Sequence, residues 1–385
     1  MSKKQYFGFA ALEISYWCFH ASFICYASAF FLDNGIGNTA VSLLLAGYML
    51  CSFIGSFVWG SVCDALGTNK KVFLLGLTVS AALIGIIYAF GGNLALMAVV
   101  YPLLGFFFVP QAANSEAWLL SACHHDQKTY GLIRSTPSMA YAVWAAVIGR
   151  LIDVKGYVVM PIGAAAFFIA VIAAALVLPD AAPAKSNAQT KLTREDLFAL
   201  LSNKAYRRLI VLLFLVGLAI APINNLKIVV LESVGGTVTH VGLDSFASAL
   251  TQVSFIMLAG WLSRIPLRTR YTVMTAMPLM MILLCLFAVS PAMVIMGSVV
   301  YNVAYGVLLP TMREVTEKNV QENLRNLGHS LSDAVFTSFS GVVSLMYAGA
   351  IVDGLGVKAM MIISVLIAGA ALLFALLGAR GKKAV

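Results

Sequence analysis

The chain has 385 residues, 61% of them hydrophobic and only 11% charged, with a mean hydropathy of +0.92 and a formal net charge of +9. A water-soluble domain carries about 25% charged residues, so a soluble fold is excluded, and with it a basic nucleic-acid-binding face. The six cysteines are scattered, with no CxxC or ligand-spaced cluster, so neither structural disulfides nor a metal site is expected, and no cofactor is implied.

Apolar runs approaching the roughly 20 residues that a helix needs to cross a bilayer lie at about 6–31, 40–63, 71–90, 93–119, 130–152, 157–178, 207–230, 243–263, 271–290, 292–313, 324–350 and 358–378. They lack the short alternation of a membrane barrel, and lipid offers no partner for free backbone groups, so each is expected to be a helix. The first run has no small-residue cleavage site and is read as a retained span. The expectation is an all-α membrane protein of twelve helices. Of the 25 Lys and Arg, 20 fall on one set of alternate connections, among them Lys3, Lys4, Lys70, Lys71, Arg207, Arg208, Arg264, Arg268 and Arg270. That asymmetry places both termini in the cytoplasm and draws the same face to anionic lipid heads. One polar stretch divides the chain into an N-terminal bundle at 1–178, a cytoplasmic linker at 179–204 and a C-terminal bundle at 205–385. Inside the linker, Thr193 followed by Asp196 predicts the cap of a short surface helix.

The halves repeat. Gly60, Asp64, Pro110, Gly149 and Asp153 return 200 residues later as Gly260, Arg264, Pro310, Gly349 and Asp353. Two similar bundles can rock against each other to give alternating access, which favours a transporter over a channel or an enzyme. No GxxxxGK[ST] loop is present to bind a nucleotide, so a gradient is expected to supply the work.

The connection after the second span reads Gly60-x3-Asp64-x2-Gly67-x2-Lys70-Lys71. It resembles the signature loop of the major facilitator superfamily, with lysines where arginines are commoner; the second copy is reduced to Gly260-x3-Arg264-x3-Arg268. The resemblance covers the whole chain. It implies two pseudo-symmetric six-helix bundles, and a gating role for Gly60, Asp64, Gly67, Lys70 and Lys71.

Charges inside spans are costly and point to function. Glu116 on the fourth span and Arg134, 18 residues on, are placed to pair as an acceptor and a guanidinium fork. Residues 110–153 resemble the lactose permease group of oligosaccharide–proton symporters. The resemblance implies that Glu116 and Arg134 contact a sugar or nucleoside-like solute and that Tyr141 stacks on its ring. The group's proton relay has no counterpart in the second half, where Gln252, Tyr301, Asn302 and Tyr305 stand instead. Proton coupling is therefore assigned to Asp333 first, with Glu13, Glu116 and His329 as further candidates; His329 and Asp333 are four apart and expected to face each other. Asn114, Asn224, Asn225, Lys227, Asn302 and Tyr305 complete the expected solute contacts. Pro222 is expected to break the seventh helix, and Lys227 either meets an anionic solute or pairs with Glu13, Asp333 or Glu232. The expected protein is a monomeric importer of a small polar solute, coupled to protons, in a bacterial cytoplasmic membrane. Proton-driven export of an amphipathic compound and a non-transporting membrane sensor are the alternatives.

Overall fold

The computed structural model describes residues 2–123, 126–180, 194–258 and 264–377. Among them every regular element is helical and there is no strand. Among the described residues nine helices are long and apolar enough to cross a membrane, and each overlaps an expected span. The other three expected spans, 6–31, 130–152 and 243–263, are also helical in most of their described residues.

The chain forms two compact units, Met1–Gln189 with Thr237–Phe246, and Thr190–Gly236 with Ala247–Val385. In the first, α1 (Lys3–Phe23) is opened by a capping box in which Ser2 and Gln5 satisfy each other's backbone N–H. A 3₁₀ turn, Ile24–Tyr26, bends it into α2 (Ala27–Asp33). The unit continues through α3 (Asn38–Leu66), α4 (Asn69–Phe90), α5 (Leu94–Phe108), α6 (Pro110–Ala122), α7 (Gln127–Lys155) and α8 (Val159–Val177). α1 packs along α7 and α8, and α5 along α3 and α4. Fully buried Trp118, Tyr16, Phe19, Phe73 and Phe108 fill the space between them.

The second unit runs through α9 (Arg194–Ser202), α10 (Lys204–Asn225), α11 (Lys227–Glu232), the later part of α12 (Val238–Met257), α13 (Leu267–Leu286), α14 (Pro291–Asn319), α15 (Arg325–Asp333), α16 (Ser340–Leu355) and α17 (Val357–Leu377). A π-helical turn, Ala334–Phe339, joins α15 to α16. Hydroxyls take up carbonyls around that wider turn: Thr337 donates to Asp333 O at 2.7 Å and Ser340 to Phe336 O at 2.6 Å. The short helix expected within the linker is α9; its proposed cap Thr193 and the landmark Gly260 lie outside the described residues.

Candidate functional site

In the first unit two prolines set the local geometry. Pro110 stands at the first position of α6, where its missing N–H costs nothing. The helix then runs to Ala122, past the expected boundary, and keeps Glu116 in regular structure. Pro137 inside α7 cannot donate to the carbonyl of Ile133, and the Thr136 hydroxyl donates to it instead at 2.8 Å. Arg134 lies in this turn.

The expected Glu116–Arg134 contact is present, with Arg134 Nε 2.7 Å from Glu116 Oε1 and both side chains about one-third exposed. The guanidinium carbon lies 5.7 Å from the centre of the Trp17 ring, within the range of a cation–π contact. Trp17 also meets His20 at 5.5 Å and Tyr141 at 6.2 Å between ring centres, and His20 meets Tyr141 at 5.9 Å and Phe108 at 5.2 Å. The Tyr141 hydroxyl is 2.9 Å from Cys25 Sγ. Trp17 escaped the sequence reading, although its place four residues after Glu13 and three before His20 puts all three along one face of α1.

Glu13 is fully buried. Ser115, Trp17, Glu116 and Arg134 are its polar neighbours, yet neither carboxyl oxygen has a hydrogen-bond partner of normal geometry among the described residues. Asn114 points elsewhere: its amide donates to Gln111 Oε1 at 2.9 Å and accepts from the Cys63 thiol at 3.4 Å.

In the second unit the helix break comes later than Pro222. α10 continues to Asn225, and Leu226 leaves helical geometry with φ −102° and ψ 34°. The Asn225 amide donates to Ala221 O at 2.8 Å, competing with the backbone for the last carbonyls, and α11 restarts at Lys227. Asn224 is exposed. Lys227 is buried and donates to Ser298 Oγ at 2.7 Å, while Asn302 donates to the carbonyl of the same serine at 2.8 Å. Tyr305 lies between Tyr301 and Phe336, with ring centres 6.0 and 6.1 Å away.

The expected His329–Asp333 pairing is corrected. Asp333 pairs with Arg313 at 2.8 Å, 41% exposed, and His329 Nε2 lies 2.8 Å from Glu317 Oε1. Helical spacing brings the two onto neighbouring turns, but α14 offers each a partner of better complementary charge. Asp333 is thereby engaged by Arg313 and not by Lys227. α14 also supplies Glu314, paired with the buried Arg270 at 2.6 Å.

At the signature loop Gly67 closes α3 in the left-handed conformation, φ 64°, with its N–H 2.9 Å from Cys63 O. Thr68 caps α4 through the Lys71 N–H and donates to Asp180 at 2.7 Å. Lys70 donates to Leu178 O at 2.6 Å, placing a cation at the end of α8. Asp64 and Lys71 are exposed and Gly60 is half-buried.

Residues 9–363 match the model of the MFS_1 like family. The maltose permease of Geobacillus stearothermophilus is 28% identical over 281 residues, 72% of this chain and 70% of that protein. Among solved structures, the nucleoside transporter NupG superposes with a TM-score of 0.84 at 17% identity, covering 98% of this chain and all of that one. An inward-facing, occupied bacterial homologue of the human lysosomal transporter Spinster gives a TM-score of 0.72 at 11% identity over 99% of this chain and 98% of its own. At these identities the two structures speak to the fold alone.

Proposed function

We propose a function from one premise: the chain belongs to the MFS_1 like family, and so is a multi-pass membrane transporter and not an enzyme. From it we infer a secondary active transporter that moves a small polar solute, a sugar or a nucleoside, by alternating access in symport with protons. Twelve spans with both termini cytoplasmic, bundles at 1–178 and 205–385 about the linker 179–204, and a monomer in a bacterial cytoplasmic membrane belong to the same reading. The distribution of basic residues supports the orientation.

The observation that carries the solute class is the Glu116–Arg134 pair seated against Trp17 beside Tyr141. A carboxylate and a guanidinium suit a solute rich in hydroxyls, and flanking aromatic rings suit the flat face of a sugar or base. The names of the maltose permease and of the nucleoside transporter point to the same chemistry. In the second unit Lys227, Asn302 and Tyr305 are the polar groups we assign to the solute, and the loop from Gly60 to Lys71 keeps its proposed gating role.

For the proton we favour Glu13 over Asp333. Asp333 is half-exposed and has Arg313 as a counter-ion. Glu13 is buried, and neither carboxyl oxygen has a hydrogen-bond partner of normal geometry among the described residues; a poorly compensated charge in such a place costs several kcal/mol, and a proton removes that charge.

Purified protein in liposomes, given an acid-outside gradient and either labelled maltose or labelled uridine, is expected to accumulate one of them and to lose it when a protonophore is added. Accumulation of neither removes the solute class. Accumulation indifferent to the protonophore removes proton coupling.

A further inference from the structure

The Glu116–Arg134 pair accounts for one end of the site in the first unit. The other end is aromatic. His20 is ringed by Phe108, Trp17 and Tyr141, with ring centres 5.2, 5.5 and 5.9 Å away and planes tilted by 31°, 39° and 57°. Three helices supply these rings: Trp17 and His20 stand on neighbouring turns of α1, Phe108 ends α5, and Tyr141 lies midway along α7. Trp17 joins the two ends, since Arg134 lies over its ring.

An imidazole is a costly filler for such a place. Phenylalanine would pack against the same three rings without burying a polar atom. His20 Nδ1 is sealed from solvent and has no hydrogen-bond partner among the described residues. The ring as a whole is half-buried, which leaves its far edge, with Nε2, for a solute. The other polar groups of the box are directed elsewhere: the Tyr141 hydroxyl is 2.9 Å from Cys25 Sγ, and the Trp17 N–H neighbours Glu13. One hydrogen-bonding side chain therefore remains among flat apolar faces. A second sugar ring would bring several hydroxyls to this end and leave most of them unmet. A flat heteroaromatic ring brings two apolar faces and a narrow polar edge, which one imidazole between aromatic rings can satisfy.

We propose that His20 determines specificity at this site: it hydrogen-bonds the edge of a heteroaromatic base, so that the preferred solute is a nucleoside and a free sugar is discriminated against. The inference rests on the reading of Glu116 and Arg134 as solute contacts, and it decides between the two solute classes which that reading leaves open.

Equilibrium binding to the purified full chain in lipid nanodiscs tests it, with uridine, adenosine, maltose and phenyl riboside as probes. Phenyl riboside keeps the sugar and a flat ring but has no polar edge. The parent is expected to bind one of the nucleosides at least about tenfold more tightly than maltose or phenyl riboside, since a site built for a hydrogen bond rejects a ligand without it. His20→Phe should bring that nucleoside down to the level of phenyl riboside and leave phenyl riboside unchanged. A residue that only fills space would move both together. His20→Asn, which keeps a hydrogen-bonding group, should recover part of the nucleoside's advantage. Equal affinity of the parent for nucleoside and phenyl riboside, or a His20→Phe variant with the parent's preference, overturns the role of His20. Tighter binding of maltose overturns it too, and leaves the Glu116–Arg134 reading in place. Binding of none of the four probes overturns that reading and the inference with it. If His20→Phe fails to fold, the comparison of ligands on the parent decides alone.

Discussion

Arg134 lies over the face of Trp17, 5.7 Å from the ring centre, while its Nε holds Glu116 at 2.7 Å. The ring fixes the plane of the guanidinium, and the plane decides which of its N–H groups remain for a solute. Trp17→Ala is expected to weaken apparent solute affinity about 3- to 10-fold, in line with a cation–π contact of roughly 0.5–2 kcal/mol. Trp17→Phe should recover most of it, and maximal rate should change less than affinity. An equal loss in both variants would mean that Trp17 only fills space.

Neutralising either member of the pair removes more. Glu116→Gln or Arg134→Gln leaves the partner charge in a partly desolvated place, and affinity should fall by more than about tenfold. Exchanging the two residues should not rescue it, since the fork depends on geometry. Equilibrium binding of the transported solute checks both statements, and wild-type affinity in the two single variants would make the pair structural.

Glu13→Gln is expected to abolish uphill accumulation while leaving solute counterflow, because exchange needs no net proton release. Asp333→Asn should keep accumulation, since Asp333 already has Arg313 for its charge. Reversal of these two phenotypes in liposomes would return the proton to Asp333.

Arg270 is 4% exposed and pairs with Glu314 at 2.6 Å, and Glu314 also receives Lys318 at 2.7 Å. Breaking a fully buried pair costs about 3–5 kcal/mol; with Lys318 still present and Glu314 24% exposed, a cost of about 2 kcal/mol is expected for Arg270→Ala. Thermal unfolding should drop by about 4–8 °C, and Arg270→Lys should restore only part of it.

Burial alone would raise the Asp153 carboxyl, but hydrogen bonds from Thr237, Thr239 and the backbone outweigh it and hold the group below its ordinary value of 3.8. A depressed carboxyl contributes stability above its unfolded pKa and loses it as pH falls through the folded one. The groups facing it are Thr237, Thr239, the Val238 N–H and Tyr26, with His240 touching Thr237. The difference in melting temperature between the parent and Asp153→Ala should therefore hold steady from about pH 8 to pH 5 and shrink only below the ordinary aspartate range. Shrinkage already near pH 6 would assign the effect to a group other than Asp153.

Glu116 and Arg134 were readable as partners because two helices that follow each other closely in sequence have their relative depth set by counting residues. Trp17 was equally open to counting, from its spacing to Glu13 and His20, but an aromatic on an apolar helix carries no signal of its own. The reading of His329 with Asp333 failed for the opposite reason. Spacing of four gives neighbours within one helix, whereas the partners that won, Glu317 and Arg313, stand on α14.

What the sequence by itself determined is the medium and the helices, since hydropathy is a property of a line, as is the return of five landmarks at a fixed offset of 200 residues. The restart of the chain at Lys227, the burial of Glu13 and the seat of Asp153 at the head of α12 were decided only in three dimensions. Each depends on which groups from distant parts of the chain come within hydrogen-bond reach, and in a chain this poor in polar atoms a single such neighbour decides whether a charge is paired, buried or free to move.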